Sequence, residues 1–281
     1  MKEYKNGTYT GERALFASKD ASFDNCLFKD GESPLKESSN LKINKTTFAW
    51  KYPLWYCTDV LMENSLIKET ARSGIWYTKN ITMNNCDIKS PKTFRRAENI
   101  VLNSCDIPNA QETFWKCQKI KLNQVTANGD YFGMNSEDIE ITGLTLDGNY
   151  CFDGGKNIVI RNSTLHSKDS FWNSENVTVI NSTIIGEYLA WNSKNVTFIN
   201  CTIESHQGLC YIDGLKLINC KLVNTDLCFE YCSNIDAQII SHVDSIKNPY
   251  SGKIDVESVG ELIVDEKFVD PKKTKINVKQ K

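Results

Sequence analysis

Length, composition and charge place this chain among ordinary folded proteins. It has 281 residues, 40% of them hydrophobic, and a formal net charge of −2. This apolar content is enough for a sizeable core, and the near-neutral charge, without a block of Lys and Arg, argues against nucleic acid or anionic lipid as a partner. No run of about 18 consecutive apolar residues is present, which excludes a membrane-spanning helix from the sequence.

The N-terminal sequence and the cysteine content predict a cytoplasmic protein. The opening MKEYKNGTYTGERALF lacks the uninterrupted apolar segment of a secretory signal. The 11 cysteines are an odd number, so we expect reduced thiols rather than a disulfide framework. No Cys-x-x-Cys motif is present and the three histidines do not lie at ligand spacing from any cysteine. The sequence therefore predicts no metal site and no cofactor.

An eight-residue unit recurs along most of the chain. It has the pattern apolar, any, apolar, any, Asn, small, any, apolar, and two of its clearest copies lie in ENVTVINSTI and KNVTFINCTI. Apolar residues at alternate positions predict a short strand with one buried face. The first position recurs every 19 to 21 residues, at Ala21, Leu41, Val60, Ile81, Ile100, Ile120, Ile139, Ile158, Val177, Val196, Leu215, Ile235 and Ile254.

Asn, Asp or Gly flanks most of these strands and predicts corners. One such residue precedes the unit in most copies, and Asn or Gly occupies its fifth place in many. These residues adopt left-handed backbone at low cost. A strand, a corner, a second strand and a second corner within 19 to 21 residues make one coil of a parallel β-helix.

The predicted fold is all-β, a right-handed parallel β-helix (solenoid) of about 12 coils. Residues 1–20 are expected to form an N-terminal cap, 21–244 the parallel β-helix, and 245–281 the last coil with a C-terminal cap and tail. Caps are expected because an open end of a solenoid exposes unpaired strand edges. We expect a single domain overall.

Five of the six Trp lie five places before the first position of a repeat unit, which we call the strand start. The residues at this place in successive coils form a column. The preceding residue is apolar in most coils, so strand alternation points the column outward. Outward Trp side chains in successive coils have two interpretations: a structural one, in which they stiffen the face or are covered by a loop or a second subunit, and a stacking platform for sugar rings or a peptide. The column comprises Trp55, Trp76, Arg95, Trp115, Met134, Asp153, Trp172, Trp191, Cys210 and Glu230.

Polar residues eight or nine places before the strand starts are expected beside this column. Carboxylates on neighbouring coils are suited to acid and base catalysis on a glycosidic bond, and a solvated face of mutual ion pairs is the alternative interpretation. The candidate catalytic residues are Asp130, Asp153, Asp169 and Glu187. The candidate substrate-binding residues are Trp115, Trp172, Trp191, Lys168, Arg95, His206, Tyr150 and Tyr188, of which Lys168 or Arg95 is expected to bind an anionic substrate.

Several segments resemble a known family. KYPLWYC, GIWYTKNI, KDSFWNSENVTVINS and GEYLAWNSKNVTF are similar to sequences of an uncharacterised bacterial domain-of-unknown-function family (3737) of pectate-lyase-like, right-handed β-helix proteins. The resemblance extends from Gly7 to about Gly252. It implies the fold and a bacterial source, but no activity or catalytic residue, because the family carries no assigned function.

The sequence leaves two hypotheses of function open. In the first, the protein recognises an oligosaccharide through the Trp column and the carboxylate patch, and if it is an enzyme it is a glycoside hydrolase or a polysaccharide lyase. In the second, it is a non-catalytic scaffold whose Trp face contacts a partner chain or forms a homo-oligomer. Fold likeness to pectate lyases does not decide between them.

Overall fold

The computed structural model of the chain describes residues 1–279. The chain forms two compact units, Met1–Asp147 and Gly148–Lys281. Within each unit, strands one coil apart pair in parallel, so each is a parallel β-solenoid. Counted over both units, the described residues form about 15 turns, close to the predicted number. No helix in this part of the chain is long and apolar enough to cross a membrane.

The first unit contains 16 strands and a 3₁₀ helix, Glu69–Ala71. The strands are β1 (Lys2–Lys5), β2 (Thr8–Tyr9), β3 (Lys19–Asp24), β4 (Leu27–Phe28), β5 (Ser39–Asn44), β6 (Thr47–Phe48), β7 (Thr58–Glu63), β8 (Leu66–Ile67), β9 (Ile75–Trp76), β10 (Lys79–Asn84), β11 (Asp87–Ile88), β12 (Phe94–Arg95), β13 (Glu98–Asn103), β14 (Asp106–Ile107), β15 (Gln118–Asn128) and β16 (Glu137–Asp147).

The described residues of the second unit contain 12 strands and a 3₁₀ helix, Pro271–Lys273. The strands are β17 (Lys156–Arg161), β18 (Thr164–His166), β19 (Glu175–Ile180), β20 (Thr183–Ile185), β21 (Lys194–Ile199), β22 (Thr202–His206), β23 (Asp213–Asp226), β24 (Ile235–Ile239), β25 (His242–Lys247), β26 (Gly252–Val256), β27 (Ser258–Ile263) and β28 (Thr274–Val278).

The strand register reproduces the repeat. In the second unit, β19 pairs with β21 so that Val177 lies opposite Val196, and β21 pairs with β23 so that Val196 lies opposite Leu215. Each repeat position therefore lies opposite the same position of the next coil. Apolar positions thus stack in columns, and Val177, Val196 and Leu215 are all fully buried.

Parallel pairing also occurs within the two segments predicted as caps. Strand β1 pairs with β3, with Lys2 opposite Ala21, and β26 pairs with β28, with Gly252 opposite Thr274. These terminal segments contribute coils that the apolar repeat does not mark, which explains why more turns form than the repeat indicates.

Each coil turns at more places than the two predicted corners. In the coil around Val196, the predicted corners Asn195 and Asn200 have φ of 53° and 52°, as expected. Tyr188, Ala190 and Asn192, which lie eight, six and four places before Val196, also have left-handed backbone, with φ of 56°, 57° and 56°. The two predicted corners are confirmed, and three further left-handed residues lie in the segment that carries the Trp column.

The asparagine corners are joined by side-chain ladders. Asn195 Nδ2 donates to Asn176 Oδ1 at 3.1 Å, and Asn200 Nδ2 donates to Asn181 Oδ1 at 3.0 Å. Asn is thus favoured at these places for two reasons, its tolerance of left-handed backbone and its amide hydrogen bond to the next coil.

Candidate functional site

One six-residue segment of each coil carries the aromatic residues. In the second unit the fourth residue of each segment is fully buried, whereas Trp172 and Trp191, in the fifth place, are partly exposed. In the second unit the segments are KDSFWN (168–173), EYLAWN (187–192), HQGLCY (206–211) and DLCFEY (226–231). We call the rings of Trp172, Trp191, Tyr211 and Tyr231 in these segments the aromatic face.

The rings of the aromatic face are tilted against one another. The ring centroids of Trp172 and Trp191 lie 6.2 Å apart with 51° between the planes, and those of Trp191 and Tyr211 lie 5.1 Å apart at 57°. The tilt leaves an open cleft of about 280 Å³, lined by these three residues with Asn173 and Asn192.

The corresponding column of the first unit is closed. The rings of Trp55 and Trp76 stack with centroids 5.1 Å apart and planes at 8°. The Arg95 guanidinium lies 4.7 Å from the ring centroid of Trp76 and 4.9 Å from that of Trp115, and donates to Glu112 at 3.1 Å. Both faces of the guanidinium are thus covered by protein rings. This arrangement gives Arg95 and Trp115, two predicted substrate-binding residues, a structural role.

The Trp side chains also bind the backbone of the next coil. Trp76 Nε1 donates to the carbonyl of Lys92 at 2.8 Å, and Trp191 Nε1 donates to that of Gln207 at 2.7 Å. The two acceptor residues, Lys92 and Gln207, have left-handed backbone, and each lies eight places before the first position of the repeat unit in its coil. Trp172 Nε1, by contrast, is buried and has no hydrogen-bond partner among residues 1–279. The column predicted to point outward therefore belongs partly to the scaffold.

Most charged groups beside the aromatic face are paired. Lys168 Nζ lies 3.3 Å from Glu187 Oε2, and this contact raises the pKa of Lys168. The Lys168 ammonium also lies 5.2 Å from the ring centroid of Tyr188. His206 Nδ1 lies 2.8 Å from Asp226 Oδ1. These contacts agree with the alternative interpretation of the patch as a face of mutual ion pairs.

Asp169 is the exception among these carboxylates. It is only 4% exposed, and its carboxylate accepts no hydrogen bond from any described residue. Loss of hydration raises the pKa of Asp169, and the negative charges of Glu187 and Asp153 raise it further against the opposing effect of Lys168. The carboxylate oxygens of Asp169 still contact solvent, so this partly desolvated group is a candidate for ligand contact.

Asp169 lies three residues before Trp172, at a position of the repeat that contacts the Trp ring in other coils. Tyr188 occupies the same position of the following coil, and its ring contacts that of Trp191 with centroids 5.2 Å apart. Tyr52 occupies this position in the first unit, and its ring lies 4.6 Å from that of Trp55. Asp169 thus takes, in the coil of Trp172, the place that a tyrosine ring fills beside Trp55 and Trp191.

The remaining predicted residues divide between the two units. Asp130 belongs to the first unit, where its carbonyl accepts from the backbone N–H of Glu112 at 2.8 Å. Tyr150 and Asp153 belong to the second unit, and Asp153 Oδ1 accepts from Asn173 Nδ2 at 3.1 Å. The site described here therefore uses residues of the second unit only.

Several residues of the face were missed from the sequence. Tyr211, Tyr231, Asn173 and Asn192 lie one place after the Trp column and were not among the candidates, although aligning the six-residue segments brings them together. Among residues 1–279, no group of three or more His, Cys, Asp and Glu is arranged to hold a metal ion.

Comparison with known proteins identifies the family. Residues 2–277 match the family described as protein of unknown function (DUF3737). The chain belongs to this family. The match confirms the resemblance found in the sequence, and it covers both units.

Solved structures resemble the chain in fold. The A-module of mannuronan C-5 epimerase AlgE4 from Azotobacter vinelandii is 11% identical with a TM-score of 0.45, and the alignment covers 84% of this chain and 87% of that one. The surface protein and adhesin PfbA from Streptococcus pneumoniae is 12% identical with a TM-score of 0.38, covering 84% and 83%. These likenesses concern the fold alone. No curated protein matches the chain.

Proposed function

We propose that the aromatic face of the second unit binds an oligosaccharide. The observation that carries this proposal is the open cleft between the tilted rings of Trp172, Trp191 and Tyr211, bordered by the carboxamides of Asn173 and Asn192. A sugar ring has apolar C–H faces and a periphery of hydroxyl groups. It is therefore suited to a surface of aromatic rings with a few hydrogen-bonding groups at its edge.

The carboxamides at the border retain capacity for a ligand. Asn192 Nδ2 donates to Asn173 Oδ1 at 2.8 Å, and Asn173 Nδ2 donates to Asp153. The next coil has Tyr211 at this place, so the ladder ends, and Asn192 Oδ1 accepts no hydrogen bond from the described residues. Each carboxamide also has a second N–H. The border thus offers donors and an acceptor to sugar hydroxyls.

Affinity on such an open face is expected to be modest. Aromatic contacts contribute about 0.5–1.5 kcal/mol each beyond the buried area. Three rings and two amides on a shallow surface are consistent with a Kd of roughly 0.1–1 mM. Trp191 lies between the other two rings, so its removal is expected to weaken binding by about tenfold.

The test is calorimetric titration of the full chain with a panel of tetrasaccharides, neutral, N-acetylated, amino and uronic. Trp191→Ala is expected to weaken binding about tenfold. Trp76→Ala is the matched control, because Trp76 holds the same place of the repeat in the closed stack of the first unit. It is expected to lower stability and leave the affinity unchanged.

Two results would refute the proposal. One is the absence of binding to every member of the panel. The other is an equal loss of affinity in Trp76→Ala and Trp191→Ala, since that loss would reflect unfolding rather than contact. Sedimentation tests the scaffold hypothesis, which predicts a concentration-dependent dimer that Trp191→Ala dissociates.

A cleavage activity is the finer form of this proposal. Asp153, Asp169 and Glu187 are the candidate acid and base, and what supports a general acid is the raised pKa of Asp169. The test is mass spectrometry of the bound tetrasaccharide after incubation. Shortened products that Asp169→Asn does not form support cleavage, and an intact tetrasaccharide limits the function to binding.

A further inference from the structure

We infer that the oligosaccharide recognised by the aromatic face is an amino sugar, with a protonated amine that pairs with the carboxylate of Asp169. This inference rests on the proposed function and names its ligand class. It departs from the expectation that Lys168 or Arg95 binds an anionic substrate.

The charge balance of the face is the first argument. The four segments that form it contain four carboxylates, of Asp169, Glu187, Asp226 and Glu230, and one lysine, Lys168. Asp153 adds a further carboxylate at the border, through its hydrogen bond from Asn173. The face is therefore acidic, and an anionic chain would meet net repulsion there.

The pairing of the cations is the second argument. Lys168 is engaged by Glu187 and by the ring of Tyr188. Lys247 reaches the segment from β25, but its Nζ lies 2.9 Å from Glu230 Oε1. An anionic sugar would have to displace an existing carboxylate from either lysine. A uronate ligand is accordingly disfavoured.

The unpartnered carboxylate is the third argument. Asp169 is 4% exposed and accepts no hydrogen bond, although buried carboxylates are normally paired. Asp169 lies three residues before Trp172, which lines the cleft, in the repeat position from which Tyr188 contacts Trp191 in the next coil. An ammonium group on a sugar stacked against Trp172 supplies both the charge and the N–H donors that this carboxylate lacks. A neutral sugar supplies a hydroxyl donor but no charge.

The experiment compares, by calorimetry on the full chain, cellotetraose with the tetramers of glucosamine, N-acetylglucosamine and galacturonate, at a pH at which the amine is protonated and the Asp169 carboxylate is ionised. The glucosamine tetramer is expected to bind about tenfold more tightly than cellotetraose, since hydrogen bonds to charged groups are the stronger ones. Added salt is expected to reduce this ratio, and the galacturonate tetramer is expected to bind most weakly.

Asp169→Asn is expected to make the glucosamine tetramer and cellotetraose bind with nearly equal affinity. The matched control is Asp236→Asn, an exposed carboxylate on β24 outside the segments that form the face, which is expected to leave the ratio unchanged. Circular dichroism checks that each variant is folded.

The two proposals fail separately. If cellotetraose binds and the glucosamine tetramer binds no better, or if the galacturonate tetramer binds best, the amino-sugar inference is wrong and the proposed function stands. A preference for glucosamine that survives Asp169→Asn also refutes the role of that carboxylate. If no tetrasaccharide binds, the proposed function itself is refuted.

Discussion

Replacing Trp172 and Trp191 by Phe is expected to have unequal effects on stability, although both occupy the same place of the repeat. Trp191 Nε1 donates to the carbonyl of Gln207 at 2.7 Å, whereas Trp172 Nε1 is buried without a partner among the described residues. Phe keeps a ring in each place and removes the N–H. Trp191→Phe therefore loses a hydrogen bond, and Trp172→Phe removes a donor that is unsatisfied.

The magnitudes follow from the cost of each group. Losing the bond of Trp191 costs about 0.5–1.5 kcal/mol, and removing an unsatisfied buried donor recovers about 1 kcal/mol or more. The smaller ring costs packing in both variants, so this cost cancels in the comparison. We expect Trp172→Phe to be more stable than Trp191→Phe by about 2 kcal/mol, which corresponds to roughly 4 °C in Tm for a chain of this size.

The assay is urea and thermal unfolding of the full chain followed by far-ultraviolet circular dichroism. Equal stability of the two variants, or a more stable Trp191→Phe, would contradict the assignment of the two indole N–H groups. It would also remove the evidence that Trp191 belongs to the scaffold as well as to the cleft.

Three further predictions concern Asp169, two buried cysteines and Gly186. Burial raises the pKa of Asp169 in the folded chain above its ordinary 3.8. At a pH above this folded pKa the ionised carboxylate lowers the free energy of unfolding, and at a pH below 3.8, where Asp169 is protonated in both states, it has no effect. Asp169→Asn is therefore expected to raise Tm at neutral pH, with a gain that vanishes as the pH falls below 3.8; a gain independent of pH would contradict this. Burial raises the pKa of Cys57 and Cys117 to about 12, so a thiol reagent at mildly alkaline pH is expected to label neither until the chain unfolds. Rapid labelling of the native protein, mapped by mass spectrometry, would show that these coils open. A Cβ at Gly186 would overlap the carbonyl oxygen of Ser167, so Gly186→Ala is expected to cost more than about 3 kcal/mol in urea unfolding, and a neutral effect would show that the coils can separate there.

The sequence predicts the corners where the residue type carries the conformation. Asn195 and Asn200 adopt left-handed backbone at low cost, so Asn at a fixed place is a signal of the conformation itself. Tyr188 adopts the same conformation with no such signal. Its N–H donates to the carbonyl of His206 at 3.0 Å in the next coil, and such contacts offset the cost of its backbone. Since the conformation is imposed by neighbouring coils, tyrosine at this place indicates nothing by itself.

The sequence predicts the Trp column because Trp recurs at a fixed place of the repeat. It does not predict which part of the column is open. Position in the repeat is the same for Trp76 and Trp191, and both donate to a backbone carbonyl. What differs is the neighbour in the column. The ring of Trp76 stacks on that of Trp55 with 8° between the planes, and the guanidinium of Arg95 lies 4.7 Å from its ring centroid.

Trp191 has no such neighbour on one side. The residue at this place in the next coil is Cys210, which is small and fully buried, so no flat group continues the column. The ring of Trp191 meets Tyr211 instead, one place further along the chain and tilted by 57°. Tyr211 in turn replaces the Asn that would have continued the ladder from Asn192. The cleft and the free amide oxygen therefore arise at one coil, where the pattern of the preceding coils stops. In this unit the rings and the amide oxygen become available to a ligand at the coil where the stacking of like residues is interrupted.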